Sequence, residues 1–160
     1  MTDSASVRPY NAADAEACIA IVAGLPDYFT PDVPATVRED LRRHSAWVVT
    51  EADAVAGFAV VDRRSSKAVE LLWAAVAAER RRRGLGTLLV EHVLDALAGQ
   101  DVHVVEVKTL DKSAGYEPYV ATRGFWEARG FVQIDTIDPL PGWEPGNPSA
   151  FYVATLKPTR

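Results

Sequence analysis

Apolar positions along the chain alternate between two periods, and the changes of period mark the elements. Val7-Arg8-Pro9-Tyr10 reads as a short first strand. Asn11 or Asp14 is placed to cap a helix running to about Gly24, with Cys18, Ile21, Val22 and Leu25 on one face. Leu25 to Pro34 carries three prolines and reads as a loop, followed by a helix from about Ala35 to His44. Two apolar runs, Trp47 to Thr50 and Val55 to Val61, flank Glu51-Ala52-Asp53 and suit a hairpin. A third strand spans Val69 to Val76. In the stretch that follows, Leu85, Leu88, Leu89, His92, Val93, Ala96 and Leu97 keep a helical period that Gly99 ends. This spacing puts His92 on the apolar face, as a core histidine. Val102 to Thr109 is the next strand. Strand, helix, strand over roughly 40 residues is a βαβ unit, so those two strands are expected to be parallel. Asp111 to Pro118 reads as a loop, Val120 to Arg129 as a helix stopped by Gly130, and Phe131 to Ile137 and Ala150 to Leu156 as closing strands. The expected class is α+β with a mixed sheet.

Length and composition narrow this picture. A chain of 160 residues, 48% hydrophobic and 24% charged, fits one globular domain over 1–160 and argues against disorder or a repeat array. No apolar run approaches the ~20 residues that span a bilayer. Met1-Thr2-Asp3-Ser4 lacks the basic and apolar regions of a signal peptide. Cys18 is the only cysteine, which leaves no internal disulfide and no cysteine-based zinc site. These features favour the cytoplasm. The net charge of −5 argues against general nucleic-acid binding, yet Arg80, Arg81, Arg82 and Arg83 are consecutive. No His/Asp/Glu spacing suggests a metal.

Arg81-Arg82-Arg83-Gly84-Leu85-Gly86-Thr87 lies where a strand ends and a helix begins. Amides at a helix start lack intrahelical acceptors, the macrodipole adds positive charge, and glycines let an anion approach the backbone. The physics predicts a phosphate or pyrophosphate site. The segment is neither a dinucleotide fingerprint, which fails at Leu89, nor a P-loop, because no Gly-Lys-Ser/Thr follows. A solvated arginine run beside a glycine turn is the other reading of the same residues.

Val76-Ala77-Ala78-Glu79-Arg80-Arg81-Arg82-Arg83-Gly84-Leu85-Gly86 resembles the signature of the GCN5-related N-acetyltransferases (GNAT), Arg/Gln-x-x-Gly-x-Gly/Ala after a strand ending in Val. Ala78 stands where a proline is common. Phe125-Trp126-Glu127-Ala128-Arg129-Gly130-Phe131 resembles the family's Phe-Tyr-Glu-x-x-Gly-Phe. The order of elements agrees over nearly the whole chain. The resemblance implies a centrally splayed mixed sheet flanked by helices on both faces, and acetyl-CoA as donor with no metal. It implies that the amides of about Arg82 to Thr87 cradle the pyrophosphate, with Arg81, Arg83, Gly84, Leu85 and Gly86 in that loop. It implies that Ala74, Ala75 and Val76 pair with the pantetheine arm as an added strand. Trp73 and Trp126 are placed with them at the cofactor. Strand-edge amides would polarise the thioester carbonyl.

Direct attack by an amine needs a base, because an aliphatic amine is protonated near pH 7. The resemblance offers Glu70, eleven residues before Arg81, and Glu106, in a Val-Val-Glu-Val strand motif. Either also reads as a salt-bridged strand glutamate. Many family members have a tyrosine where this chain has Trp126, whose indole carries no proton that titrates near neutral pH. Tyr119 is the candidate for the missing hydroxyl, with packing at a helix start as its plainer role. Tyr28, Phe29, Trp73 and Trp143 offer an aromatic wall for the acceptor, with Asp27, Asp32 and Glu144 as acids to suit a cationic amine. The partners expected are acetyl-CoA and an amine, not nucleic acid or a membrane. A homodimer is left open, since family members often dimerise through their C-terminal strands. The alternative to an N-acyltransferase is a CoA-binding sensor or protein-interaction module with decayed chemistry.

Overall fold

The computed structural model describes residues 4–157; the Met1–Asp3 part of the N-terminal reading lies outside them. The strands are β1 (Ala5–Pro9), β2 (Ser45–Glu51), β3 (Ala54–Arg63), β4 (Ala68–Val76), β5 (Val104–Leu110), β6 (Val132–Ile137) and β7 (Ser149–Thr155). The α-helices are α1 (Ala15–Ala23), α2 (Val33–Arg43), α3 (Leu85–Gly99) and α4 (Tyr119–Ala128). The sheet runs β1-β2-β3-β4-β5-β7-β6. Every pairing is antiparallel except β4 with β5, the parallel pair that the βαβ pattern predicts.

Local chemistry explains the ends. Asn11 caps a 3-10 turn at Ala12–Asp14, its side chain taking the Ala13 amide while Asp14 takes the Asn11 amide. The expected single helix thus opens as a 3-10 turn before α1. Ala52 and Asp53 both adopt positive φ, 52° and 62°, matching a tight β2–β3 hairpin. Helix α2 begins at Val33, with Pro34 in its first turn, where a missing amide costs nothing.

Two apolar cores sit on opposite faces. One joins α1 and α2 to Val48, Phe58, Val60 and Ala75, with Leu72 and Trp73 packed against it. The other joins α3 and α4 to Val69, Leu71, Val105 and Val107. On α3 the buried residues are Leu85, Leu89, Val90, Val93, Leu97 and Ala98, a set that excludes two residues assigned to it from the periodicity and adds Val90 and Ala98. His92 is exposed and Leu88 is 39% exposed, so His92 is a surface residue. The period was right, but the stripe is turned one step, toward Val90 and Ala98. Gly99 is the last helical residue of α3; the left-handed position after it belongs to Asp101, at φ 64°.

The sheet is split at its centre. β4 and β5 pair only at Ala68–Val104, Val69–Val105 and Glu70–Glu106. Beyond that point β4 stays on β3 as far as Val76, and β5 stays on β7 as far as Leu110. The β3–β4 register slips between Val60–Trp73 and Val61–Leu71, leaving Leu72 as a bulge. A bulge bends its strand and raises local twist, here at the point where β4 parts from β5. Gly57 allows the same region to pack: a Cβ there would lie 2.7 Å from the Ala75 carbonyl oxygen.

Candidate functional site: a slot between two parted strands

Helix α3 starts at the open end of the slot. Its N-cap is Gly84, at φ 77°, and no side chain caps the helix. The Leu85, Gly86 and Thr87 amides therefore have no acceptor within the helix. Arg82 is also left-handed, at φ 65°, so the chain turns sharply twice within three residues. Such turns let successive amides converge on an anion. An ideal Cβ on Gly86 would lie 3.5 Å from the Phe125 ring and 3.7 Å from Val76, so α3, α4 and β4 meet there.

The arginine run is anchored, not a free basic arm. Arg80 and Arg83 both donate to Glu51 Oε1, at 3.0 and 2.8 Å, and that carboxylate is buried. Arg81 lies 4.5 Å over the Tyr28 ring and donates to its hydroxyl at 3.0 Å. Arg82 is exposed. Across the slot, Arg129 donates to Thr87 Oγ1 at 2.5 Å and stacks 5.1 Å from the Phe125 centroid. This contact ties the end of α4 to the first turn of α3.

The wall residues divide between the two faces. Because of the bulge, Leu72 and Trp73 both pack toward α1 and α2, while Ala74 and Val76 pack toward α3. The Trp73 indole donates to Asp40 of α2 at 2.7 Å and meets Phe29 edge-on at 5.9 Å. Trp126 lies in the α3–α4 core, 6% exposed, between Phe125 and Phe131. Its surroundings are apolar packing. Of the expected aromatic wall, Phe29 joins Trp73, whereas Tyr28 turns to Tyr119, 5.5 Å between centroids. Trp143 has no ring partner among the described residues.

The two candidate bases meet at the apex. Glu70 and Glu106 are register partners at the last paired position of β4 and β5. Their neighbours Val69, Leu71, Val105 and Val107 face the α3–α4 core, so both carboxylates face the α1–α2 side. Glu70 is 6% exposed and accepts from Arg64 and, at 3.2 Å, from Lys108. Glu106 is half-buried, with Arg64 Nε at 3.7 Å. Burial and the adjacent Glu70 charge push the Glu106 carboxyl above its ordinary range, against the smaller opposing pull of Lys108 and Arg64.

Tyr119 opens α4, and its hydroxyl donates to the Tyr28 carbonyl at 2.7 Å. Burial, with Tyr116 and Tyr28 beside it, raises that phenol to about 12. Tyr116 donates in parallel to the Asp27 carbonyl at 2.8 Å. The α1–α2 loop and the start of α4 are thus joined at the open end of the slot. Arg64, Lys108, Glu51 and Asp40 were not among the residues picked from the sequence. Only Lys108 left a local signal, two positions after Glu106 and so on the same strand face.

A family model described as "Acetyltransferase (GNAT) domain" matches residues 42–133. No curated protein matches the sequence. Among solved structures, a Desulfovibrio desulfuricans protein assigned to the GNAT family superposes with TM-score 0.82 at 22% identity, covering 96% of this chain and 100% of its own. The ribosomal-protein-S18-alanine N-acetyltransferase of Escherichia coli gives 0.77 at 17% identity, covering 98% and 97%. A GNAT acetyltransferase from Elizabethkingia anophelis with acetyl-CoA bound gives 0.73 at 15% identity, covering 96% and 99%. The split sheet and glycine-started helix thus accompany a family match over more than half of the sequence, and the chain belongs to the GNAT acetyltransferase family.

Proposed function

We propose that the protein transfers an acetyl group from acetyl-CoA to a primary amine, by direct attack while both are bound. The observation that carries this reading is the slot itself, with an uncapped helix start at its mouth and a carboxylate pair at its apex. The residues fit the donor: the amides of Gly84 to Thr87 suit a pyrophosphate, and the β5-facing edge of Ala74 to Val76 suits an extended arm. Acetyl-CoA supplies the activated acetyl group when bound. The chain's own residues orient it and manage protons. A carboxylate of the Glu70–Glu106 pair takes a proton from the amine as the new C–N bond forms and the C–S bond breaks. The thiolate leaves without an acid from Trp126. A thiol titrates near ~8.5, so its thiolate is already a tolerable leaving group.

Tyr119 supports the reading in a different way from proton donation. A phenol near 12 is a poorer acid than the thiol it would protonate, and its proton already serves the Tyr28 carbonyl. We assign it to holding the acceptor loop. One observation favours the second reading, a CoA-binding sensor: the position of the usual tyrosine is filled by the core residue Trp126. Release of free CoA thiol, followed with a panel of small amines, amino acids and peptide N-termini, separates the two. Amine-dependent thiol release supports the enzyme. Saturable acetyl-CoA binding without release by any amine supports the sensor.

A further inference from the structure

We propose that Arg64 and Lys108 are positioning residues of the base: by holding Glu70 from two sides, they leave Glu106 as the carboxylate that receives the amine proton. The inference rests on the acetyltransferase reading and adds a division of labour to it. Two carboxylates side by side on parallel strands do not ionise independently. Here their surroundings differ. Glu70 takes hydrogen bonds from both cations, so its oxygens are engaged. Glu106 takes no hydrogen bond from either cation: Arg64 Nε lies at 3.7 Å, outside hydrogen-bond range, and Lys108 acts on it only through its charge.

The groups facing Glu106 are few. They are Glu70 from β4, Arg64 from the turn after β3 and Lys108 from its own strand. β7 presents Val153 opposite Glu106, which carries no charge. Arg64 is itself held by Asp62 at 3.5 Å, and Asp62 by His44 at 3.5 Å. Lys108 lies 5.4 Å over the Phe151 ring, a second restraint on its ammonium. Both cations therefore approach from fixed positions and converge on Glu70. A general base works best when its proton affinity is nearer the operating pH than that of an ordinary carboxylate. The Glu70 charge and the partial burial act on Glu106 in that direction.

The test is a carbon-13 NMR titration of the glutamate side-chain carboxyls in the full chain, which needs no acceptor. The expected result is that Glu106 titrates above an ordinary glutamate. Glu70→Gln should move the Glu106 midpoint down, Lys108→Met should move it up, and Lys108→Arg should restore it. The amide fingerprint of each variant reports whether it is folded. A Glu106 midpoint that does not respond to Glu70→Gln or Lys108→Met in folded variants overturns the proposal. With an active amine in hand, Glu106→Gln should cut kcat/KM by ~10²–10⁴-fold, and Glu70→Gln should shift the acidic limb of the pH profile downward. Loss on Glu70→Gln with activity kept in Glu106→Gln also overturns it. Absence of thiol release from the wild type with every amine fails the enzyme reading instead, while the titration still decides the charge arrangement.

Discussion

At the scale of single residues, the site is built from side chains that reach across long sequence separations. Tyr119 illustrates this. The hydroxyl that Trp126 lacks made it a candidate in the sequence, but its partner is the carbonyl of Tyr28, on the loop between α1 and α2. Tyr119→Phe should cost about 1 kcal/mol of stability, the worth of one buried hydrogen bond, and leave the limbs of the pH–rate profile where they are. Thermal denaturation and the profile check the two halves; a displaced limb would return Tyr119 to proton transfer. Gly84 and Gly86 were legible in the sequence because a turn into a helix is local. The contacts of Glu51 and Arg64 were not. Each depends on strand register and on a loop returning from elsewhere in the chain, which residue order alone does not express.

Elements show where local patterns suffice and where they stop. The start of α3 depends on Gly84, whose left-handed backbone would cost a side chain about 1–2 kcal/mol. Gly86 has ordinary van der Waals room for a methyl group. Gly84→Ala should therefore lower the melting temperature and weaken CoA binding, whereas Gly86→Ala should melt like the wild type. Parallel melts and CoA titrations of the two variants check this contrast. The end of β5 is tied to β6 by Asp111, which accepts from Ser113, from Gln133 at 2.8 Å and from Thr136 at 3.3 Å. Burial alone would raise its carboxyl, but these hydrogen bonds outweigh it and hold it at about 2, below the ordinary 3.8. Because the folded value is depressed, this stabilisation is present above about pH 4 and is lost as pH falls toward 2. The difference corresponds to about 2 kcal/mol. Asp111→Asn should remove that part of the acid sensitivity, as seen in denaturant midpoints measured across pH 2–5. The periodicity of α3 located the helix but set its buried stripe one step off, taking in Leu88 and His92 and leaving out Val90 and Ala98.

For the whole molecule, the decisive feature is a sheet that fails to close. The parallel β4–β5 pair followed from the βαβ spacing, whereas the helices on both faces and the central splay were implied by the family resemblance. The separation of those strands after Glu70 and Glu106 had no signature in composition or periodicity. It involves the bulge at Leu72 and the pairing of β5 with β7, a strand that begins only at Ser149. The same topology brings the α1–α2 loop against the start of α4 at the open end of the slot. We propose that this opening binds acetyl-CoA through the start of α3. Calorimetric titration of the purified protein with acetyl-CoA, with free CoA alongside, tests it most directly. Both should bind saturably at one site per chain, and Gly84→Ala should weaken both. Absence of saturable binding by the folded wild-type protein would contradict it.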